Sequence, residues 1–237
     1  MTIMAPDISG TAPSRVAERR LQIYMLRHGK PQFPDERSYV YGWTDYPLSP
    51  LGREQAKHIG AALSSIRFDR IISSDLSRAA ETADIVAASQ APPIREVERD
   101  PELREINMGE WDGKTVSEIR ENYVDIFRER GLDLANVAAP GGETFVRLRE
   151  RGMKAFERIT RSSEASSKIL IVAHGAYMWS IISGIFGIEL GDIFRFGLDH
   201  CAVHLVEYRP MPTQWGNYRL IRYNWLPDLA AYSDDLV

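Results

Sequence analysis

The chain has 237 residues, of which 44% are hydrophobic and 26% charged, a composition typical of a globular protein and unlike disordered or collagen-like chains. Its length suffices for one large domain whose core needs no disulfide or metal. A net charge of −4 is too acidic for a chain that mainly holds a polyanion, so no nucleic-acid partner is expected. The single cysteine, Cys201, cannot form an internal disulfide, and the cytoplasm is therefore the expected compartment.

Three parts of the chain are expected: a flexible leader over residues 1–20, a folded domain over 21–226 and an acidic tail over 227–237. The leader has no continuous apolar stretch, so it is unlike a secretory signal. Residues 169–188 lack charged side chains and are long enough to span a bilayer. The pair His174-Gly175 interrupts them, however, and a buried strand followed by a buried helix explains the pattern better. No membrane association is expected.

Strands and helices alternate along the domain. Short apolar runs predict the strands, and apolar residues spaced three or four apart predict the helices. The predicted strands are 21–26, 68–72, 94–97 and 168–173, followed by a hairpin of 201–208 and 217–224. The predicted helices run from the Ser49-Pro50 cap to 66, and over 76–88, 115–130, 143–161 and 176–186. This order predicts an α/β three-layer sandwich, a mainly parallel sheet with helices on both faces.

Polar, reactive residues follow three of the predicted strands. Arg27 and His28 follow the first strand, Arg78 lies shortly after the second, and His174-Gly175 follow the apolar strand 168–173. Ligands of open α/β sheets bind beyond the carboxyl ends of parallel strands, so these residues are expected to converge. Two arginines, two histidines and nearby helix N-termini predict a phosphate site.

Taken singly, each of these residues has a structural explanation, since an Arg or His at a strand end is usually solvated or capping. Together they would be costly to bury without an anion, which favours a receptor for a dianion. His200 and His204 have the spacing of a helical metal pair, but on the predicted strand they would stand ~13 Å apart. No metal site is therefore predicted, and His58 is interpreted as a surface residue.

Ordered sequence blocks carry a family resemblance. They are RHG at 27–29, the stretches 42–56 and 73–83, LRE at 103–105 with GEWDG at 109–113, PGGET at 140–144 and VAHG at 172–175. In this order the blocks resemble the histidine phosphatase superfamily, the phosphoglycerate mutase-like proteins, from about residue 21 to 208. The resemblance implies that fold, and catalytic roles for Arg27, His28, Arg78, Glu105 and His174. It also implies that His28 is the nucleophile.

The chemistry also follows from the residue types. Arg27, Arg78 and a protonated His174 would neutralise a phosphate monoester while neutral His28 attacks phosphorus in line and forms a phosphohistidine. Gly175, at a helix N-terminus, is expected to help bind the substrate. Because side chains supply the positive charge, no metal or other cofactor is expected.

A carboxylic acid must protonate the departing alkoxide and then activate the water that cleaves the phosphohistidine. The candidates are Glu102, Glu105 and Glu110, and spacing does not choose among them. The resemblance selects Glu105.

The chain departs from the family pattern after its RHG motif. An Asn that touches the phosphate in many members is missing, and Lys30 or Gln32 is a candidate to replace it. The segment 114–141, which covers the pocket in this family, is shorter than in the cofactor-dependent mutases, and the tail holds aspartates but no basic residue.

The sequence thus favours a metal-independent phosphatase acting on a small phosphorylated metabolite through a phosphohistidine. A phosphoglycerate mutase using the same intermediate is the first alternative. A non-catalytic module that binds a phosphorylated ligand is the second. The identity of the substrate and the oligomeric state stay open.

Overall fold

The computed structural model describes residues 19–210 and 216–227. Most of the predicted leader and nearly all of the predicted tail lie outside the described residues. The last two leader residues contact the domain. The guanidinium group of Arg19 donates to the carbonyl groups of Thr160, Arg161 and Ser163, and that of Arg20 forms an ion pair with Glu207.

A six-stranded sheet forms the middle of the domain, in the order β3-β2-β4-β1-β5-β6. Its strands are β1 (Leu21–Arg27), β2 (Arg70–Ser73), β3 (Glu98–Arg99), β4 (Lys168–Ala173), β5 (Val203–Tyr208) and β6 (Tyr218–Trp225). The four strands β1 to β4 are mutually parallel, and the β5-β6 hairpin joins β1 in antiparallel pairing. The predicted mainly parallel sheet and the hairpin are confirmed.

The described residues form six α-helices: α1 (Pro50–Leu63), α2 (Ser77–Ala88), α3 (Val116–Asn122), α4 (Val124–Leu132), α5 (Phe145–Ser162) and α6 (Gly175–Phe186). Short 3₁₀ turns lie at Pro101–Leu103, Gly109–Trp111 and Leu190–Arg195. Helix α1 begins as its sequence predicts. The Ser49 hydroxyl accepts a hydrogen bond from the backbone N–H of Gly52, and Pro50 occupies the first turn.

Alternation along β1 divides the core into two layers. Ile23 and Met25 belong to the apolar cluster that contains the buried faces of α5 and α6, whereas Tyr24 and Leu26 belong to the cluster of α1 and α2. Successive side chains of a strand point to opposite faces of the sheet. A strand that is apolar on both faces must therefore be covered by helices on both faces. The predicted three-layer sandwich is confirmed.

Two predicted elements were wrong. The strand expected over 94–97 forms instead at Glu98–Arg99, where it pairs with β2. Ile94 and Val97 pack against the apolar cluster of α1 and α2, so they do not extend the sheet. The helix expected over 115–130 breaks at Tyr123, whose φ of −130° and ψ of 39° are not helical. The Tyr123 ring packs against Trp111 there.

The strand ends define one edge of the sheet. Arg27 is paired with Ala173, and Ser73 with Val172, so β1, β2 and β4 end side by side. The loops that follow them therefore meet at this edge, as predicted. Within the described ranges no helix is both long and apolar enough to cross a membrane.

Candidate active site

His28 lies fully buried directly after β1. Its Nδ1 is 2.7 Å from the carbonyl oxygen of Gly29, and because a carbonyl only accepts, Nδ1 must carry the proton. The lone pair is then on Nε2, which has no hydrogen-bond partner among the described residues. Burial and the nearby Arg78 guanidinium hold the pKa of His28 well below its usual 6.5. His28 is thus a neutral imidazole with its free nitrogen available to an electrophile.

Two arginines, the half-buried Arg27 and the fully buried Arg78, flank this imidazole. Arg27, the last residue of β1, donates to the carbonyl oxygen of Leu198. Arg78, in the first turn of α2, donates to the carbonyl oxygens of Thr44 at 3.1 Å and Gly42 at 2.7 Å. Neither guanidinium forms an ion pair with a carboxylate in the described part of the chain, and the Nε of each lacks a hydrogen-bond partner there. They concentrate positive charge beside His28 and leave donors for an anion.

His174 lies at the end of β4, with its ring centroid 5.0 Å from that of His28. It is fully buried, and neither ring nitrogen has a hydrogen-bond partner among the described residues. Burial and the charges of Arg78 and Arg27 hold its pKa well below 6.5. This lowered pKa favours a neutral His174 by itself, whereas the protonated form expected from sequence applies to the site that holds a phosphate dianion. A dianion would offset this positive potential and favour uptake of a proton.

Glu105 is the buried member of the three candidate carboxylates. Its Oε1 accepts hydrogen bonds from the backbone N–H groups of Ile106 at 2.9 Å and Tyr177 at 3.2 Å, and its Oε2 accepts from Ala176 at 3.2 Å. Two of these donors belong to the first turn of α6, where backbone N–H groups are otherwise unpaired. This turn holds Glu105 next to the segment that carries His174.

The other two carboxylates lie on the surface. Glu102 and Glu110 are both exposed, and Glu110 accepts a hydrogen bond from the Tyr123 hydroxyl. Geometry therefore favours the residue that the resemblance selects.

Gly175 is the first residue of α6. A Cβ atom placed there would lie 3.6 Å from the Nε of Arg27. The backbone of this turn therefore adjoins the guanidinium group, as expected for a place where an anion contacts both.

Lys30 and Gln32 are placed differently. They line a surface groove of about 730 Å³. Its walls include none of the arginines and histidines that surround His28. The Gln32 side-chain amide donates to the carbonyl oxygen of Phe33. Lys30 and Gln32 thus line a different depression from the one lined by Arg27 and Glu105, and a role for them in phosphate binding stays a prediction.

Thr82 is a site residue that sequence reasoning missed. Its hydroxyl accepts a hydrogen bond from the backbone N–H of Gly29 at 3.1 Å and donates one to the carbonyl oxygen of Arg78 at 2.7 Å. The side chain is fully buried. It connects the loop that carries the nucleophile with the helix that carries the arginine.

His200 was also missed. Its ring centroid is 5.6 Å from that of His28, so three imidazoles meet in the site. His204, by contrast, is buried in β5, where its Nδ1 accepts a hydrogen bond from the backbone N–H of Asn224. No group of three or more His, Cys, Asp or Glu residues suited to a metal ion occurs over the described residues.

A cavity of about 260 Å³ opens beside the cluster. Arg27, Glu105 and Gly175 contribute to its walls, together with the buried Arg130. Its remaining lining is apolar or aromatic: Tyr39, Val40, Tyr41, Ile106, Met108, Phe145, Ala176, Trp179 and Phe194. The cavity thus adjoins the groups that could bind a phosphoryl group and offers room for what is attached to it.

Comparisons with known proteins identify the family of the chain. The family model described as histidine phosphatase superfamily (branch 1) matches residues 23–219. A relative from Escherichia fergusonii, described as "Probable phosphoglycerate mutase GpmB", is 31% identical over 195 residues, covering 82% of this chain and 87% of its own.

Two solved structures have a similar fold. Mycobacterial glucosyl-3-phosphoglycerate phosphatase has a TM-score of 0.72 and 26% identity, with 87% of this chain and 98% of that chain covered. YhfR of Bacillus stearothermophilus has a TM-score of 0.75 and 27% identity at the same coverage of 87% and 98%. By fold, by ordered motifs and by the matched residues, the chain belongs to branch 1 of the histidine phosphatase superfamily.

Proposed function

We propose that this protein is a phosphatase that hydrolyses a small phosphomonoester through a phosphohistidine on His28. The single observation that carries the proposal is the buried, neutral His28 imidazole, whose Nδ1 is fixed by Gly29 while Nε2 is left for attack. A neutral imidazole held between cations is the form that can attack a dianion.

In the first step, Arg27, Arg78 and His174 bind the phosphoryl oxygens, which reduces their repulsion of the incoming lone pair. The Nε2 atom of His28 forms a bond to phosphorus as the bond to the ester oxygen breaks. The departing oxygen needs a proton, and Glu105, in the wall of the adjoining cavity, is the proposed donor.

In the second step, Glu105 removes a proton from a water molecule that attacks the phosphohistidine. The N–P bond breaks, inorganic phosphate leaves and His28 is regenerated. The three backbone hydrogen bonds to Glu105 keep its carboxyl group in one position through both steps. Side-chain cations offset the charge throughout, so the proposed cycle needs no metal ion.

The comparisons support two reactions of this kind. One similar structure is that of a phosphatase, which has also been solved with inorganic phosphate, and this supports hydrolysis. The curated relative is described as a phosphoglycerate mutase, which favours the second candidate. A mutase must exclude water and retain a bisphosphate. The short covering segment favours hydrolysis.

An assay of both reactions on one preparation tests the proposal. With 3-phosphoglycerate and catalytic 2,3-bisphosphoglycerate, we expect little 2-phosphoglycerate in an enolase-coupled assay. A panel of phosphorylated metabolites should release inorganic phosphate in parallel. Mutase turnover far above the rate of phosphate release would establish the second candidate instead.

We propose the cytoplasm as the compartment, since a chain with a single cysteine does not require an oxidising compartment.

A further inference from the structure

Arg130 is a buried cation outside the phosphate-binding cluster. It lies in α4 and is 8% exposed. Its guanidinium donates to the carbonyl oxygen of Val137 and lies 5.6 Å from the centroid of the Phe145 ring. No carboxylate of the described residues forms an ion pair with it, and burial lowers its pKa. A guanidinium that donates to one carbonyl keeps further N–H donors for a ligand that enters the cavity.

The same guanidinium lines the cavity that also contains Arg27 and Glu105. A substrate whose phosphoryl group lies at the cluster would therefore extend its leaving group into the cavity walled by Arg130. The cavity volume of about 260 Å³ is slightly below the roughly 300–1,000 Å³ of typical ligand pockets, which favours a small leaving group.

The other walls restrict the chemistry further. Trp179 and Phe194 form an edge-to-face pair with ring centroids 4.9 Å apart, and Ile106 and Met108 add aliphatic surface. Surfaces of this kind favour an apolar or aromatic body over a polyhydroxylated one. Of the two arginines that line this cavity, Arg27 belongs to the phosphate-binding cluster, so Arg130 is the one left to contact the leaving group.

We propose that Arg130 binds a carboxylate on the leaving group, so that the substrate is a small phosphomonoester with an apolar or aromatic body and one carboxylate. One carboxylate matches the single positive charge of Arg130, whereas the second negative charge of another phosphate dianion would have no cation of its own beside Arg130 and would face Glu105 in the same cavity. This inference rests on the proposed function because it assumes that the phosphoryl group occupies the His28 cluster.

A matched pair of esters tests the assignment. 4-Carboxyphenyl phosphate and 4-carbamoylphenyl phosphate have similar shapes, but only the first carries the additional charge. We expect the wild-type protein to prefer the acid about ten- to hundredfold in kcat/KM, the range of a charge-assisted hydrogen bond. Arg130→Gln should remove that preference, mainly through KM, while Arg130→Lys keeps part of it. Arg128→Gln, on the exposed part of the same helix, should leave the preference unchanged.

Two outcomes would overturn the assignment. A wild-type protein without preference for the acid would exclude a carboxylate site. Equal losses of kcat/KM on both esters in Arg130→Gln would show that Arg130 only maintains the structure of the cavity wall. Urea unfolding of each variant separates a misfolded wall from a specific effect.

Binding measurements separate this inference from the proposed function. If the wild-type protein releases phosphate neither from these esters nor from the panel of phosphorylated metabolites, the phosphatase proposal fails, and Arg130 is then tested by calorimetry on His28→Ala. Tighter binding of the acid by about ten- to hundredfold, lost in His28→Ala/Arg130→Gln, would support the carboxylate site. Equal binding of both esters to His28→Ala would reject it.

Discussion

The carboxyl group of Glu105 accepts a hydrogen bond from the backbone N–H of Ala176 at 3.2 Å. The two residues are 71 positions apart in sequence, yet this contact places the proposed acid beside the turn that follows His174. Backbone N–H groups at the N-terminus of α6 thus hold this carboxyl group in place.

Substitution of Glu105 should show a dependence on the leaving group. Glu105→Gln cannot transfer a proton, so an alkyl phosphate should lose about 10²- to 10⁴-fold in kcat, the typical contribution of general acid catalysis. p-Nitrophenyl phosphate should lose much less, because nitrophenolate leaves without a proton. Steady-state kinetics on both substrates measure the ratio.

The two exposed carboxylates supply controls for this experiment. Glu102→Gln and Glu110→Gln should retain activity on both substrates because neither side chain is buried against α6. Equal losses on both substrates in Glu105→Gln would indicate a positioning role. Loss in a control variant instead would transfer the acid role to that residue.

His28 should carry the phosphoryl group during turnover. Neutral quenching with ³²P-labelled substrate should trap an acid-labile, base-stable label that is absent from His28→Ala. His58→Asn is a matched histidine control because it lies on α1, away from the cluster. An active, labelled His28→Ala protein would reject the mechanism.

Thr82 should support both the fold and the catalytic geometry. Thr82→Val removes the acceptor for the Gly29 N–H, and a buried unpaired donor costs about 1–3 kcal/mol, which urea unfolding measures. Because the same loop positions His28, kcat should fall as well. Thr82→Ser keeps the hydroxyl and should recover most of kcat. If Thr82→Val kept full kcat with only reduced stability, the hydroxyl would be a purely structural contact.

Chelation should leave turnover unchanged. In the proposed cycle, Arg27 and Arg78 provide the positive charge that a metal ion would otherwise supply. Phosphate release should therefore persist after extensive treatment with EDTA. Loss of activity that returns only with Mg²⁺, Mn²⁺ or Zn²⁺ would contradict this prediction.

The convergence of Arg27, His28, Arg78 and His174 was predictable because it follows from parallel pairing alone. Residues that directly follow strands of a parallel sheet share one edge whatever the detailed packing. The choice of Glu105 was not predictable from spacing, since it depends on which carboxylate the first turn of α6 binds. The resemblance supplied that choice, and the hydrogen bonds give its physical reason.

His200 shows what the sequence pattern left undetermined. The hairpin 201–208 and 217–224 was predicted, but not which strand it would join. Strand β5 pairs antiparallel with β1, and Val203 at the start of β5 lies opposite Leu26 near the end of β1. The residues before β5 therefore lie at the carboxyl end of β1. His200 therefore lies beside His28. The same kind of long-range pairing decided that β3 forms at Glu98–Arg99 rather than earlier.

Acid should destabilise the protein through His204. Burial lowers the pKa of this histidine from 6.5 to about 4, so the unfolded chain takes up a proton that the native chain does not. The corresponding stability is fully present above pH 6.5 and is lost as the pH falls towards 4. Between pH 7 and pH 5 this amounts to about 2 kcal/mol of unfolding free energy.

His204→Asn tests this dependence. It keeps a hydrogen-bond acceptor near the Asn224 N–H but cannot be protonated. The variant should therefore lose about 2 kcal/mol less than the wild-type protein between pH 7 and pH 5, even if it starts less stable. His28 and His174 destabilise both proteins equally on acidification, so the difference isolates His204. Urea unfolding at both pH values, with His58→Asn as the control, measures this difference. Identical losses in the variant and the wild-type protein would show that His204 does not contribute to the acid sensitivity.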